Sequence, residues 1–571
     1  MKKIKYILIA SLMMLGSFSC NENEWLKEEP LSFYTTVNSY TTVSQFRQAL
    51  NYLYNRLRSV YWNIGDQTDI LNFADLAHGG TDMEPVPTKF NNAQTWLVPT
   101  NYVVESYWNI AYLSIGNANT IINRIQSSAL SDADKAGIEG EALFFRAYWF
   151  NFLANLYGGV PVPTEETTAP RTDYVTTPRA GVYGQARTDL ERAVTLLSDI
   201  TATDDGKISI QAAQHLLAEV YISCGEYDKA IAAASAVINH PSMGLMTSRF
   251  GSATDKPGDP YWDLFQYNNQ NRSTGNREAI LVLQYDYKNS GSGISCQMPR
   301  NAFPYIQGLQ VARTGGGVVA PILSISNSTP ENLGGRGIGV FHPTDYFLYD
   351  IWGADGTSDY RNSPYIILRD IRIDNPAAAG YGKWLVADGY LEERFKLRNF
   401  YPILLKFART YDLPDDCYVK NADGSFATNA FGEKQVAYAY GSLSSNCSLK
   451  DEYLFRLAGT YLLRAEAYIK NSQPDLALAD INALRSRANA TPAQLSDINL
   501  DYLMDEQMRE LYFEDFRTVT LMRMGKFVDR TRTCNPKIGD YVGDHQNLYP
   551  IPFSEIERNA LGKIDQNPGY N

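Results

Sequence analysis

The sequence predicts a mainly α-helical protein, in which stacked helical hairpins form a scaffold that carries a large loop-rich insertion containing short β-strands. Three observations predict it. A stretch near the middle of the chain returns near its end at the spacing of a helical hairpin. Apolar residues in both of these regions recur with the helical period. Between the copies the composition shifts to Gly, Asn, Ser, Pro and Tyr, the residues of turns and loops.

The chain opens Met1-Lys2-Lys3-Ile4-Lys5, continues with an apolar run from Ile7 to Phe18, and reaches Ser17-Phe18-Ser19-Cys20. This is the pattern of a signal peptide over residues 1–19, with an apolar run shorter than the roughly 20 residues that span a bilayer. Small residues before a cysteine resemble the lipobox of bacterial lipoproteins, which makes Cys20 the lipidated first residue of the mature chain and 20–40 a linker.

Residues 41–245 are expected to form the N-terminal part of the scaffold. Val104–Ile125 and Ile138–Tyr157 read as one helix pair, with Phe144, Phe145, Tyr148, Trp149 and Phe152 as core. The clearest unit is Leu216–Ala234, LLAEVYISCGEYDKAIAAA, which aligns without a gap on Leu463–Ile481, LRAEAYIKNSQPDLALADI. Gly225 breaks the first copy; Pro474 stands where the second helix of the other copy begins. Alanines at 218, 230 and 234 let paired helices approach, and Leu217, Tyr221, Ile231 and Val237 give the apolar stripe. Such units resemble tetratricopeptide repeats, which bury their apolar faces only by stacking.

Residues 246–450 read as a loop-rich insertion for ligand recognition, with strand-like runs at Ala279–Leu283 and Tyr365–Leu368. Residues 451–571 return to the helical scaffold. There Arg509, Glu510, Glu514 and Arg517 crowd one helix and read as ion pairs between packed helices, with Glu514 also paired to Arg517 three residues on, and not as a catalytic cluster.

The net charge of −12, or −15 once the three lysines of residues 1–19 are gone, argues against nucleic acid as a partner and favours neutral ligands. Beyond Cys20 the cysteines at 224, 296, 417, 447 and 534 are odd in number and scattered, so this is no disulfide scaffold. Cys417 and Cys447 flank one loop-rich stretch and fit either a bridge or two free buried thiols. The histidines at 78, 215, 240, 342 and 545 are far apart in sequence and suggest no metal site. No HExxH, CxxC, G-x-S-x-G or P-loop motif occurs, and no cofactor is expected.

Three further runs carry a family resemblance: Glu141-Ala-Leu-Phe-Phe-Arg-Ala-Tyr-Trp-Phe150 leading to Leu156-Tyr-Gly-Gly-Val-Pro161; Phe455-Arg-Leu-Ala-Gly-Thr-Tyr-Leu-Leu-Arg-Ala-Glu-Ala-Tyr468 with Asp480-Ile-Asn482; and Glu506-Gln-Met-Arg-Glu-Leu511 with Phe513-Glu-Asp-Phe-Arg517. With the ending Leu548-Tyr-Pro-Ile-Pro552 and Gln566-Asn-Pro-Gly-Tyr570, they resemble the SusD/RagB outer-membrane lipoproteins of Bacteroidetes. Asp515, Thr518 and Gly459 depart from the family pattern, where Gly, Trp and Glu are usual. The acidic flank Asn21-Glu22-Asn23-Glu24 also resembles the surface-export signal of such lipoproteins. The resemblance implies a lipid-anchored position on the outer face of the outer membrane. It further implies binding without catalysis, and delivery of ligand to a SusC-like TonB-dependent transporter. Glycan is the expected ligand; peptide capture, a surface hydrolase, or a transporter lid with little affinity of its own are the alternatives.

A sugar presents apolar CH faces and a rim of hydroxyls, so its receptor needs Trp or Tyr planes beside hydrogen-bonding side chains. Two loop clusters meet that need: Asp82 with Asn91 and Trp96, and Trp352 with Tyr360 and Arg361. Trp384, after Gly382-Lys383, is a third candidate. Trp108 and Trp262 are assigned to core.

Overall fold

The computed structural model describes residues 39–62, 71–80, 87, 89–285, 298–315, 319–324, 328–333, 337–407, 415, 418–437 and 450–570. The expected signal peptide, Cys20, Asp82, Cys296, Cys417 and Cys447 lie outside the described residues. Among the described residues Cys224 and Cys534 are free thiols, and no helix is long and apolar enough to cross a membrane.

The scaffold is a succession of antiparallel helices: α1 (Val43–Trp62), α2 (Tyr102–Ser127), α3 (Asp132–Tyr157), α4 (Arg179–Leu196), α5 (Ile210–Ser223), α6 (Tyr227–Ile238), α7 (Leu457–Lys470) and α8 (Pro474–Arg487). From α2 to α8 each packs against the next. Their ends are set locally: the Asn101 side chain accepts from Val103 N, Ser131 from Asp134 N and Ser209 from Ala212 N, supplying orphan first-turn amides with acceptors. Gly225 closes α5 with φ +76, a conformation costly for a residue with a Cβ. Pro474 begins α8, where its missing N–H costs nothing.

The two repeat copies are the hairpins α5–α6 and α7–α8, and they lie side by side although more than two hundred residues separate them. The Asn471 side chain in the second turn donates to Asp228 in the first hairpin at 2.8 Å, and Arg464 donates to Ser235 at 3.0 Å. Ala218, Ala230, Ala234, Ala465 and Ala477 are buried, as close approach of helices requires. The long insertion therefore leaves the stack and re-enters it in register. Strand β1 (Ala279–Leu283) runs antiparallel to β2 (Glu452–Arg456), bringing departing and returning chain together.

A buried ionic lattice fastens insertion to scaffold. In α9 (Leu500–Leu511), Glu510 receives Arg361 Nη1 at 3.2 Å, Arg456 Nη1 at 2.6 Å and Arg487 Nη2. Glu506 receives Arg361 at 2.7 Å, and Glu514 receives Arg456 and Lys406, each at 2.5 Å. The expected Glu514–Arg517 pair is not formed. Phe513 adopts φ +58 beyond the end of α9, and Arg517 starts a new helix and turns to Asp75 at 2.7 Å. Breaking the helix there sends the two charges to different partners.

Candidate functional site

The structure separates interior from surface among the residues singled out above. Trp96 is buried at 5 % exposure, edge-on to Phe90 at 5.7 Å and to Tyr549 at 5.8 Å. Tyr549 belongs to the C-terminal tail, whose backbone N–H bonds Leu156 O at 2.7 Å, so the end of the chain folds over the ring. Asn91 is buried too; its amide oxygen accepts from Gly79 N at 2.6 Å and its nitrogen donates to Gly79 O at 3.2 Å. Trp352 donates Nε1–H to Phe347 O at 2.7 Å inside the insertion. Arg361 is wholly buried, its guanidinium held by Asp359, Glu506 and Glu510. These four expected contact residues are thus turned into the core, Trp96 and Arg361 by groups distant in sequence and Asn91 and Trp352 by partners within their own loops. Trp96→Ala is accordingly expected to cost about 3–5 kcal/mol of stability through the cavity it leaves. Sugar affinity of the protein that remains folded should stay unchanged; chemical denaturation and titration together check both.

Trp384 stands differently, 40 % exposed. Two short runs pair to present it: Ile373 N bonds Lys383 O at 3.0 Å and Leu385 N bonds Ile371 O at 2.9 Å, with Arg372 and Trp384 directly opposite. The loop beyond is clamped by carboxylates. Asp370 accepts from Val386 N and Ala387 N at 2.8 and 2.9 Å, and Asp388 accepts from Trp384 N at 2.8 Å.

Facing this loop is a turn at residues 429–433, where Asn429 Oδ1 accepts from both Phe431 N and Glu433 N at 3.0 Å, and Gly432 takes φ +80. The turn carries Phe431 at 37 % exposure. The Arg372 guanidinium lies 5.0 Å from the Trp384 ring centroid and 5.2 Å from that of Phe431, a cation shared by two rings. Tyr381, 46 % exposed, stacks beside Phe431 at 6.4 Å with planes 18° apart. A cavity of about 270 Å³ opens among Trp384, Phe431, Arg372, Asp370, Asn429 and Glu433. Burial lifts the Glu433 carboxyl above the usual range, opposed by a hydrogen bond from Asn429 (2.8 Å) and more weakly by Arg372.

This is a row of exposed aromatic planes beside amide, carboxylate and guanidinium groups, held on paired backbone. It can cover an apolar ring face while hydrogen-bonding polar substituents at its edge. Sequence reasoning reached Trp384 and missed Tyr381 and Phe431. The available signal was the Asn-Ala-Phe-Gly turn at 429–432, which places an aromatic residue at a tight tip.

His78 and His342, far apart in sequence, stack at 5.0 Å across a strand pair, Ala77–Gly79 with Phe341–Pro343. Burial depresses both, His342 to about 4, and Nδ1 of each lies within hydrogen-bond distance of a backbone carbonyl, so both are neutral structural groups at neutral pH. Among the described residues no cluster of three or more His, Cys, Asp or Glu is suited to a metal ion.

The fold is that of a helical-repeat protein with loops mounted on the stack, the class of SusD-like binding proteins. The chain belongs to the SusD family, whose model matches residues 264–570, more than half of the sequence. A second model, described as "Starch-binding associating with outer membrane", matches residues 24–222. SusD-like protein P2 of Formosa agariphila is 23 % identical over 590 aligned residues, covering 100 % of both chains. The starch-binding protein SusD of Bacteroides thetaiotaomicron is 40 % identical over 121 residues, 20 % of this chain and 21 % of that one. Among solved structures, surface glycan-binding protein A of Bacteroides thetaiotaomicron in complex with laminarihexaose superposes with a TM-score of 0.64 at 17 % identity, covering 92 % of this chain and 99 % of that one. The helical fold expected from the repeats is the fold of these neighbours.

Proposed function

We propose that this protein captures a neutral oligosaccharide or polysaccharide chain on the Trp384–Phe431–Tyr381 platform and passes it to a SusC-like TonB-dependent transporter, without cleaving it. The observation that carries the reading is the exposed row of rings, Trp384 and Phe431 lining the cavity with Arg372 between them and Tyr381 stacked beside Phe431. The acidic balance of the chain agrees with an uncharged ligand. Relatives described as starch-binding, and a neighbour solved with laminarihexaose, support glycan over peptide as the ligand class. Titration of the soluble protein against malto- and laminari-oligosaccharides, beside a peptide digest, tests it. Binding to sugar without new reducing ends is expected. Binding to peptide alone, or turnover of the sugar, overturns it.

Residues 20–40 supply the tether in this reading, with acyl chains on Cys20 holding the body at the outer face of the outer membrane. Each buried CH₂ contributes about 0.8 kcal/mol, so two or three chains suffice for a lasting anchor. Cys20→Ala is expected to move the protein from the membrane fraction to the soluble fraction and to abolish the mass increment of lipidation. Retention in the membrane fraction at unmodified mass would remove the anchor from the proposal.

A further inference from the structure

A second basin, of about 600 Å³, lies where the insertion meets the end of α8. Its walls include Arg249, Asp259, Tyr360, Ser363, Tyr365 and Asn489, contributed by four separate stretches of chain. Tyr365 is 40 % exposed and leans at 6.3 Å on the buried Trp262. Tyr360 is half-buried, and its backbone N–H is tied to Ala488 O at 2.8 Å. Among the described residues neither phenolic hydroxyl has a protein partner, so both are left to bond something from outside.

The floor is held rigidly. Asp259 accepts from Trp262 N at 2.7 Å and from Ser363 Oγ at 2.8 Å. Arg249 is bound to Asp263 at 2.6 Å and donates to the carbonyls of Ala253, Lys256 and Gly258. Asn489 donates to Ser358 O at 3.1 Å and holds the αL conformation, φ +55, which Asn tolerates better than most residues. The one arginine of the basin is neutralised by Asp263, and the Asp259 carboxylate, lifted by burial to about 6, is taken up by Trp262 N–H and the Ser363 hydroxyl, so no unengaged charge is left to select a charged ligand. Two ring faces, two unclaimed hydroxyls and hydroxyl or amide side chains at the edge suit a neutral, hydroxyl-rich molecule, and a preorganised wall lowers the ordering cost of taking it.

We propose that this basin is a second saccharide-binding site, separate from the Trp384 platform and built around Tyr360 and Tyr365. The proposal deepens the glycan reading by giving the protein two places at which one kind of ligand is held. Its failure is distinguishable from failure of that reading, because each site has its own variant.

Titration of wild type, Trp384→Ala, Tyr365→Ala and the double variant with laminarihexaose and maltohexaose, with melting temperatures measured alongside, is the test. The expected result is two sugars per wild-type protein, one in each single variant and none in the double. The milder Tyr365→Phe, which keeps the ring and removes only the hydroxyl, should retain the second site with about tenfold weaker binding. One sugar per wild-type protein that disappears in Trp384→Ala overturns the second site and leaves the first standing. Binding lost in Tyr365→Ala and untouched in Trp384→Ala upholds the basin and overturns the platform. If Tyr365→Ala lowers the melting temperature, Tyr365→Phe decides, and unchanged stoichiometry and affinity in it overturn the proposal.

Discussion

Trp384→Ala is expected to weaken oligosaccharide binding at the platform by about 30-fold, equivalent to about 2 kcal/mol, with no change in melting temperature. The magnitude follows from the contact removed. An indole that loses its remaining exposure on binding contributes apolar burial at about 25 cal/mol per Å². Stability is spared because the loop does not depend on the indole. Asp370 and Asp388 hold it through the backbone N–H groups of 384, 386 and 387, which alanine retains. Phe431→Ala should act in the same direction and less strongly, since its ring is smaller and borne on a turn fixed by Asn429. Unchanged stoichiometry and affinity in a Trp384→Ala protein that melts normally would remove the platform from the function.

That contrast between Trp384 and Trp96 shows what was legible in the sequence. The helices were legible because their information is local: the helical spacing of apolar residues, the break at Gly225, Pro474, and the recurrence of one hairpin at 216–234 and 463–481. Which aromatic residues face water is a non-local property. Trp96 is dry because Tyr549, over four hundred residues later, lies on it; Arg361 is dry because Glu506 and Glu510 draw it inward. Trp384 resembles them in composition and stays 40 % exposed, because among the described residues nothing distant in sequence returns to cover it. Similarly, Glu514 and Arg517 have helical spacing, yet the turn at Phe513 redirects them. His78 and His342 meet only because two strands from distant parts of the chain pair.

A loss of stability as large as that of any core truncation is expected from Glu510→Gln. Glu510 has no exposed side-chain surface and accepts from Arg361, Arg456 and Arg487, so neutralising it leaves three buried guanidinium groups short of a counter-charge. Breaking a buried pair of this kind costs about 3–5 kcal/mol, and high salt does not restore it, because screening acts through water. Glu393→Gln, at a side chain 86 % exposed beside Lys396, serves as the contrast and should produce no measurable loss. The same lattice sets the acid limit of the fold. Against the cost of burial, the arginines hold the folded-state Glu506 carboxyl down to about 2 and Glu510 lower still, against an unfolded value of about 4.3; the separate buried Glu466, paired with Arg523 and Lys470, is also held at about 2. A carboxyl depressed by folding stabilises above its unfolded pKa, and that contribution drains away as pH falls through the folded one. Loss is therefore expected from about pH 4.5 downward, preceded from about pH 6.5 by the burial-depressed histidines, His342 at about 4 and His215 at about 3, which take up protons more readily once unfolded. Guanidinium denaturation between pH 8 and pH 3 should show both stages in wild type and a shallower second stage in Glu510→Gln. Equal slopes in the two proteins would mean that the lattice does not couple through Glu510. Because Arg361 also grips Asp359, which accepts from the backbone N–H of 361 ahead of the second basin, the variant should expose the insertion to protease before the helical stack.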